Sequence, residues 1–414
     1  MLSWFEERLI VRARQGAVAR RSRGVAGLNA AIIPPAMPGS VGDAAMVSAT
    51  AQQLRGMGFA RVDLFHGSDW PLDARIDRRL PAERYFYGAS RFRLSRLLPA
   101  LADYSHLFML GADVIDGAYN PGSVNRRLEV LREAAQMGCI CTILGSSYNN
   151  APEASTRASL RALPAQVAIC GRDPNSHARF TSHLERPIEL TADVAFLLDA
   201  QPGHVDAMAA IAWIQQRRDD GHRVVAVNAN YLHAAKVPGL REGLAKLLGM
   251  LLEQPISLLL LSHDSRTREP DEKVLADAVA QLPAALQANT RMLATPSPGA
   301  VKAVLAQVDL LVTGRMHAMI LALGGHTPSL GFAYQDKFEG LMQLLGLDGQ
   351  AMLSTPDTLA TAPEAVAAQA QALLSQRDTL RQHIAQAMPA ALQLAAHNFS
   401  RERLNLVPST LDAA

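Results

Sequence analysis

The chain has 414 residues, of which 49% are hydrophobic and 19% charged, and its formal net charge is +2. This composition is typical of a globular protein rather than a disordered one, and the length favours two domains. The small net charge and an aromatic content of 5% argue against a nucleic-acid-binding protein. The cysteines Cys139, Cys141 and Cys170 are too few for a disulfide framework and poorly spaced for zinc, so we expect them to be reduced in a cytoplasmic protein.

Residues 1–24 are predicted to form a basic arm. Its arginines are Arg8, Arg12, Arg14, Arg20, Arg21 and Arg23. Glu6 and Glu7 interrupt the place where a signal peptide would be apolar, and no apolar run is long enough for a transmembrane helix. Because apolar residues such as Trp4 and Phe5 alternate with the arginines, residues 1–23 either lie on the inner face of an anionic membrane or form a solvated or subunit-contacting arm.

Residues 25–202 alternate between short apolar strands and helices, which predicts a Rossmann-like domain. The predicted strands are 28–33, 62–65, 106–110, 139–144 and 166–170. The loop 38–43 contains two glycines and precedes a helix predicted over 44–57. Its last residue, Asp43, either caps that helix or binds a sugar hydroxyl. Arg172 follows the last strand, just before Pro174 begins a helix, so it faces the carboxyl edge of the sheet.

After a predicted hinge at 199–203 the alternation starts again, and residues 203–362 predict a second Rossmann-like domain. Its predicted strands are 223–227, 256–261, 292–293, 310–312 and 329–334, and its helices include 205–218, 239–252, 271–281, 298–307 and 316–323. Residues 363–414, rich in Ala and Gln, predict a helical C-terminal tail. The whole pattern predicts an α/β protein in which two Rossmann-like domains face each other across a cleft.

The strongest functional signal lies between residues 309 and 337. Arg315 and His317 follow one predicted strand directly, and Lys337 follows the next. In open α/β sheets, ligands bind beyond the carboxyl ends of the strands and against helix N-termini. Two fixed cations and an imidazole at that edge predict a site for a small anion.

A series of motifs in a fixed order resembles the polysaccharide pyruvyl transferase family over roughly residues 25–350. The motifs are the Gly-x-x-Gly-Asp loop ending at Asp43, Gly111-Ala112-Asp113, Arg172-Asp173 with Ser176, Ala192 to Phe196, His263-Asp264, Gly314 to His317, and Tyr334 with Lys337. The resemblance implies a glycosyltransferase-B-like enzyme that moves pyruvate from phosphoenolpyruvate onto a sugar as a ketal and releases phosphate. The sugar would belong to a bacterial surface, capsular or exopolysaccharide, or to its lipid-linked precursor. Ser40 and the Gly111-Ala112-Asp113 run depart from the family pattern in the half that the resemblance assigns to this acceptor.

The resemblance also implies the roles of individual residues. Arg172, Arg315 and Lys337 would bind phosphoenolpyruvate, and His317 would act at its reactive carbon. Histidine suits the general acid that protonates the methylene carbon, because its ordinary pKa of about 6.5 lies close to neutrality. Asp43 and His263 would orient or deprotonate the acceptor. We expect no metal ion and no cofactor, since phosphoenolpyruvate is itself the donor substrate and no carboxylate cluster is spaced to hold a metal.

Two other functions are compatible with the sequence. A glycosyltransferase that uses a nucleotide sugar would have the same pair of domains, and an Arg/Lys pair at a helix start binds a diphosphate equally well. A non-catalytic partner in polysaccharide assembly, held at a membrane by its basic arm, is the second alternative. Stabilisation of the fold by phosphoenolpyruvate or by a nucleotide sugar would distinguish the two enzymes.

Overall fold

The computed structural model describes residues 2–25, 27–67, 69–71, 73–293, 297–333 and 337–406. The chain divides into two compact units. The first comprises Met1–Pro38, Met46–Leu197 and Gln393–Ala414, and the second comprises Gly39–Ala45 and Leu198–Leu392. Compared with the predicted segments, the basic arm and the end of the tail belong to the first unit, whereas most of the tail and a short segment near residue 40 belong to the second. The main boundary lies at 197/198, five residues before the predicted one at 202/203.

The first unit contains a parallel sheet with the strand order β3-β2-β1-β4-β5-β6-β7. Its strands are β1 (Asn29–Ile33), β2 (Arg61–Leu64), β3 (Arg78–Arg79), β4 (His106–Leu110), β5 (Ile140–Ser146), β6 (Ala168–Gly171) and β7 (Glu189–Leu190). The central strands are almost wholly buried, as expected when helices cover both faces of a parallel sheet. The strand order reverses between β1 and β4.

The helices of the first unit include α1, which is the predicted basic arm. They are α1 (Leu2–Arg21), α2 (Val41–Gly56, whose first turn belongs to the second unit), α3 (Glu83–Phe86), α4 (Leu94–Leu101), α5 (Pro121–Gln136), α6 (Ala154–Arg161) and α7 (Pro174–Leu184), with 3-10 turns at Arg91–Arg93 and Val194–Leu197. Ile10 and Ala17 of α1 are buried in the same apolar core as the leucines of α4. The prediction that Pro174 begins a helix is confirmed, and Asp173 caps that helix by accepting a hydrogen bond from the Ser176 amide.

The second unit contains a parallel sheet with the strand order β10-β9-β8-β11-β12-β13. Its strands are β8 (Arg223–Asn228), β9 (Ile256–Leu261), β10 (Thr290–Leu293), β11 (Leu310–Thr313), β12 (Ser329–Phe332) and β13 (Leu353–Ser354). Strand β8 lies in the middle, and the order reverses between β8 and β11. In open α/β sheets such a reversal opens a crevice beyond the carboxyl ends of the two strands, and ligands bind there.

Helices cover this second sheet and continue into the tail. They are α8 (Val205–Asp219), α9 (Tyr231–Lys236), α10 (Leu240–Leu252), α11 (Asp271–Ala280), α12 (Ala284–Gln287), α13 (Pro298–Leu305), α14 (Met316–Leu323), α15 (Lys337–Leu345), α16 (Gly349–Met352), α17 (Pro356–Thr361), α18 (Pro363–Ser375) and α19 (Arg377–Ala396), followed by a 3-10 turn at His397–Phe399. The predicted helical tail is confirmed. Its end is anchored in the first unit by Asn398, which accepts a hydrogen bond from the Gly145 amide and donates one to the Ala192 carbonyl.

The predicted α/β class is confirmed by the two parallel sheets and the helices that pack on them. Among the described residues, no helix is both long enough and apolar enough to cross a bilayer.

Candidate active site

Three strands of the second unit are tied together at their carboxyl ends. Asn228, the last residue of β8, donates a hydrogen bond to the Leu261 carbonyl of β9 at 2.9 Å. It also accepts one from Thr313 Oγ1 of β11 at 2.9 Å, and that hydroxyl accepts a hydrogen bond from the Arg315 amide, again at 2.9 Å. This buried network fixes the backbone at Arg315 directly beside the switch point of the sheet.

The side chain of Arg315 is held by two buried carboxylates. Its Nε and Nη2 donate to the two carboxylate oxygens of Asp271 at 3.1 and 2.7 Å, and its Nη1 lies 3.3 Å from Asp264 Oδ2. Its guanidinium carbon lies 4.8 Å from the ring centroid of Tyr231. Only 9% of Arg315 is exposed. A two-point pair of this kind sets the plane of the guanidinium as well as its position, which prepares a fixed donor for a carboxylate or phosphate.

A further cation, Arg266, continues this chain of charges. It donates two hydrogen bonds to Asp264 Oδ2, the shorter one 2.6 Å long, and one to Asp43 Oδ2 at 3.1 Å. Burial would lower the pKa of Arg266, but its hydrogen bonds to Asp264 and the charge of Asp43 outweigh that effect and raise the pKa above its usual value. The carboxylates and guanidiniums therefore alternate from Asp271 to Asp43.

The first turn of α2, which carries Asp43, belongs to the second unit together with Gly39 and Ser40, and this segment packs against the end of β9. Asp43 is the third residue of the helix and not its N-cap, and its amide donates a hydrogen bond to Ser40 Oγ at 3.3 Å. Ser40 and Asp264 form an antiparallel bridge, and the Val41 amide donates to the His263 carbonyl at 2.9 Å. The Ser265 amide donates to the Gly39 carbonyl at 2.8 Å. Although the first glycine loop was assigned by sequence to the N-terminal domain, it forms part of the second unit's site.

Gly42, the second residue of α2, lies against His317. A Cβ atom added to Gly42 would come within 2.5 Å of both Cβ and Cγ of His317, which is closer than such atoms approach in real structures. Only glycine therefore fits at this position in the Gly-x-x-Gly-Asp motif, and the close approach fixes one side of the imidazole.

Two neighbouring histidines are held in their neutral form. Burial lowers the pKa of His263 well below its ordinary value, with smaller contributions from the charges of Arg315, His317 and Arg266. Burial also lowers the pKa of His233 to about 4, with the charge of Arg315 as the next contribution. Among the described residues, Nδ1 of His263 has no hydrogen-bond partner. At neutral pH His263 is an uncharged hydrogen-bonding group, not an anion-binding cation.

His317 and Lys337 each lie in the first turn of a helix. His317 is the second residue of α14, which starts directly after β11, and Lys337 is the first residue of α15, which follows β12. Since β11 and β12 pair in parallel, both helices start at the same edge of the sheet. Lys337 is buried and His317 half-buried. Tyr334, named above with Lys337, lies outside the described residues.

Arg172 belongs to the first unit and has partners of its own there. Its Nε donates to Ser147 Oγ and its Nη1 to Asp193 Oδ2, both at 2.7 Å, and it is only 2% exposed. Two motifs that the sequence suggested separately, those containing Arg172 and Asp193, thus form one buried ion pair. The role of Arg172 in binding phosphoenolpyruvate stays a prediction.

Sequence reasoning missed Asp271, Arg266 and the contact made by Gly42. Asp271 begins α11, where an acidic residue is typical of any helix start, so nothing marked it as a partner of an arginine 44 positions away. Arg266 lies two residues beyond the His263-Asp264 motif, and its proximity to that motif was the available signal. Within the described ranges, no group of three or more His, Cys, Asp or Glu side chains is arranged to hold a metal ion.

Two parallel α/β units with a reversal of strand order in each define a glycosyltransferase-B-like protein, and solved structures of that class are similar to this chain. S. aureus MnaA with UDP has a TM-score of 0.61 at 13% identity, over 92% of this chain and 98% of that one. The UDP-forming α,α-trehalose-phosphate synthase of Burkholderia vietnamiensis has a TM-score of 0.58 at 13% identity, over 92% and 99%. The UDP-GlcNAc 2-epimerase of Neisseria meningitidis bound to UDP-GlcNAc has a TM-score of 0.58 at 10% identity, over 91% and 100%. At these identities the likeness concerns the fold alone.

The family follows from the sequence itself. The profile of the polysaccharide pyruvyl transferase family matches residues 41–336, which is most of the chain, and the protein belongs to that family. The resemblance inferred from the motifs is thereby confirmed. No curated protein matches the chain.

Proposed function

We propose that the protein transfers the pyruvyl group of phosphoenolpyruvate to a carbohydrate acceptor as a ketal and releases phosphate. The observation that carries this proposal is the geometry of Arg315, whose guanidinium is oriented by Asp271 at the switch point of the second sheet, two residues from His317. Phosphoenolpyruvate offers a carboxylate and a phosphate, and each charge-assisted hydrogen bond to such a group contributes about 1.5–3 kcal/mol. The proposed reaction uses the donor substrate alone, without a metal ion or cofactor.

The proposed chemistry begins with a proton transfer. His317 donates its proton to the methylene carbon, which becomes a methyl group, and C2 becomes electrophilic. One sugar hydroxyl adds to C2 and loses its proton, and the C2–O bond to phosphate then breaks. A second hydroxyl of the same sugar adds to C2 and loses its proton, which closes the ketal. The two protons released by the hydroxyls balance the one given to the methylene carbon and the one taken up by the departing phosphate. Arg315 and Lys337 are proposed to hold the donor's anionic groups throughout, because fixed cations stabilise the phosphate as it leaves.

The acceptor is proposed to be a sugar of a surface polysaccharide or of its lipid-linked precursor. The pKa of His263 is lowered by burial, so the imidazole stays neutral and is a weak base, which suits positioning a hydroxyl better than accepting its proton. Asp43 is bonded to Arg266, which fits a role in holding the loop and orienting a hydroxyl better than a role as a free base. Since phosphoenolpyruvate is a metabolite of the cytoplasm, a lipid-linked acceptor would place the reaction at the inner face of a membrane, where we propose that the enzyme works.

Phosphate release from phosphoenolpyruvate, measured with a panel of free and lipid-linked glycans, tests the proposal. We expect His317→Ala to lose turnover at saturating donor while donor binding largely survives, and Arg315→Ala to weaken donor binding itself. The matched control is His383→Ala, at an exposed position on α19, which should leave both unchanged. Normal turnover by His317→Ala would contradict the assignment of the general acid.

A nucleotide sugar is the alternative donor. MnaA of S. aureus and the N. meningitidis epimerase, which share the fold, have been solved with UDP and UDP-GlcNAc. A ligand that binds only the folded protein raises its melting temperature. Stabilisation by phosphoenolpyruvate and not by UDP-sugars supports pyruvyl transfer, whereas the reverse result would support a glycosyltransferase. No stabilisation and no consumption of either donor would support a non-catalytic partner.

A further inference from the structure

Helix α1 is fixed on the first unit by one of its faces. Ile10 and Ala17 are buried in the core, and Arg14 donates two hydrogen bonds, 2.6 and 2.7 Å long, to the buried carboxylate of Glu133. Arg20 lies 2.6 Å from Asp103. The helix is therefore packed on the first unit and is not a loose arm. This packing determines which of its side chains point away from the unit.

The opposite face of α1 exposes large apolar side chains. Trp4 is 60% exposed, Phe5 59%, Val11 38% and Val18 48%, which makes four of the nine large apolar side chains that are exposed among the described residues. Trp4, Val11 and Val18 are spaced by seven residues, close to two helical turns, and they therefore form one stripe along the helix. Such a concentration on a single helix marks an interaction surface rather than scattered exposure.

The charge on this face is positive. Arg8 and Arg12 are exposed beside the stripe, and the guanidinium carbon of Arg8 lies 4.1 Å from the ring centroid of Trp4. The two acids of α1 are paired with a neighbouring turn: Glu6 accepts a hydrogen bond from Ser90 Oγ at 2.6 Å, and Glu7 lies 3.2 Å from Arg91. The arginines beside the apolar stripe are thus not neutralised by acids of their own helix.

We propose that this face binds the surface of an anionic phospholipid bilayer. The α1 face consists of Trp4, Phe5, Arg8, Val11, Arg12 and Val18. Aromatic and aliphatic side chains of an interfacial helix enter the boundary between headgroups and acyl chains, while arginines extend along their apolar stems to the lipid phosphates. The helix lies in the plane of the membrane and does not cross it.

A second copy of the chain fits this face less well. Most homodimers pair the same patch on both subunits, so the α1 face would meet its own arginines. Like charges placed opposite each other at an interface oppose association. An anionic bilayer offers both an apolar interior for the apolar side chains of this face and negative headgroups for its arginines.

The experiment uses the full chain and vesicles of either phosphatidylcholine alone or phosphatidylcholine with phosphatidylglycerol. We expect sedimentation with the anionic vesicles, at least tenfold weaker binding to the neutral ones, and a blue shift of tryptophan fluorescence that Trp4→Phe removes. Trp4→Ser/Phe5→Ser and Arg8→Glu/Arg12→Glu should each weaken binding at least tenfold. The matched control is Val205→Ser/Met208→Ser, which replaces an equally exposed apolar pair on α8 and should bind as the wild type does.

Equal binding to both kinds of vesicle, equal binding by the wild type and the α1 variants, or no binding at all would overturn the proposal. Concentration-dependent dimerisation that Trp4→Ser/Phe5→Ser abolishes, without vesicle binding, would assign the face to a second copy instead. Melting curves of each variant show that it is folded. Because the assay needs no phosphoenolpyruvate, its outcome is independent of the proposed reaction.

Discussion

The guanidinium of Arg315 is oriented by Asp271. We therefore expect the Asp271 carboxylate to affect the binding of phosphoenolpyruvate indirectly, through Arg315. Asp271→Asn keeps the size of the side chain but removes its charge and one of its two acceptor oxygens. We expect phosphoenolpyruvate to bind about tenfold more weakly, equivalent to about 1.4 kcal/mol, as measured by calorimetric titration. Asp277→Asn, at a half-exposed position on the same helix α11, is the matched control and should bind the donor normally. Unchanged affinity in Asp271→Asn would show that Arg315 is positioned by other contacts.

Gly42 offers a second test at the scale of one residue. An alanine there would force its Cβ to within 2.5 Å of the His317 side chain, so either the imidazole or the loop must move. Displacement of a catalytic group by about 1 Å costs on the order of a hundredfold in rate, and we expect Gly42→Ala to lose turnover by one to two orders of magnitude. Gly56→Ala, at the other end of α2 where a Cβ meets open space, should leave the rate unchanged. Full activity in Gly42→Ala would mean that this contact does not set the position of His317.

At this scale the sequence predicted the positions of the candidate side chains in the fold better than it predicted their partners. Arg315 and His317 were placed correctly because each follows an apolar run whose carboxyl end lies at the edge of a parallel sheet. Their neighbours could not be predicted in the same way. The carboxylate of Asp271 and the backbone of Gly42 come from other parts of the chain, 44 and 275 residues away, and local patterns carry no information about such contacts.

At the scale of elements, the segment Gly39–Ala45, which includes the first turn of α2, is held by the pair between Asp43 and Arg266. Arg266 also neutralises Asp264, which is wholly buried, whereas Asp43 is slightly exposed. We therefore expect Arg266→Gln to lower the melting temperature more than Asp43→Asn, and the double variant to melt close to Arg266→Gln alone, because residues in one ion-pair network are not additive. The exposed pair Arg161–Glu185 is the control, and its removal should change stability by less than about 1 kcal/mol. If the melting-temperature shifts of Arg266→Gln and Asp43→Asn were strictly additive in the double variant, the two residues would not belong to one coupled network.

The long elements of the fold were predictable because their apolar periodicity is strong. Strands β4 and β9 were predicted with their observed bounds, and other buried strands were predicted to within about two residues. The short strands β3, β7 and β13 were not predicted, because two residues that pair at the edge of a sheet leave no periodic signal. The packing of α1 on the first unit was also not predicted. Its inward face contributes few apolar residues to the core, and an arginine that forms a buried ion pair cannot be distinguished in sequence from a solvent-exposed one.

At the scale of the whole molecule, both units contain buried or half-buried histidines whose pKa values are lowered by the loss of solvent around them. They are His66 and His106 in the first unit and His233 and His263 in the second, with a pKa of about 4 for His233. A histidine that is harder to protonate in the folded state contributes its full stability above the unfolded pKa of about 6.5. That contribution decreases as the pH falls from about 6.5 towards the folded pKa, because the unfolded chain then binds protons that the folded chain excludes.

We therefore expect the melting temperature to be highest near neutral pH and to fall by roughly 5 °C or more between pH 7 and pH 4.5.

His66 allows a direct test, because among the described residues neither of its ring nitrogens has a hydrogen-bond partner. Replacing it with an apolar residue of similar size leaves no partner unsatisfied and removes one acid-sensitive group. His66→Leu should thus melt near the wild type at pH 7 and above it at pH 4.5. His383→Leu, at an exposed position, should follow the wild type at both pH values. A parallel fall in wild type and His66→Leu would show that other groups determine the acid sensitivity of the fold.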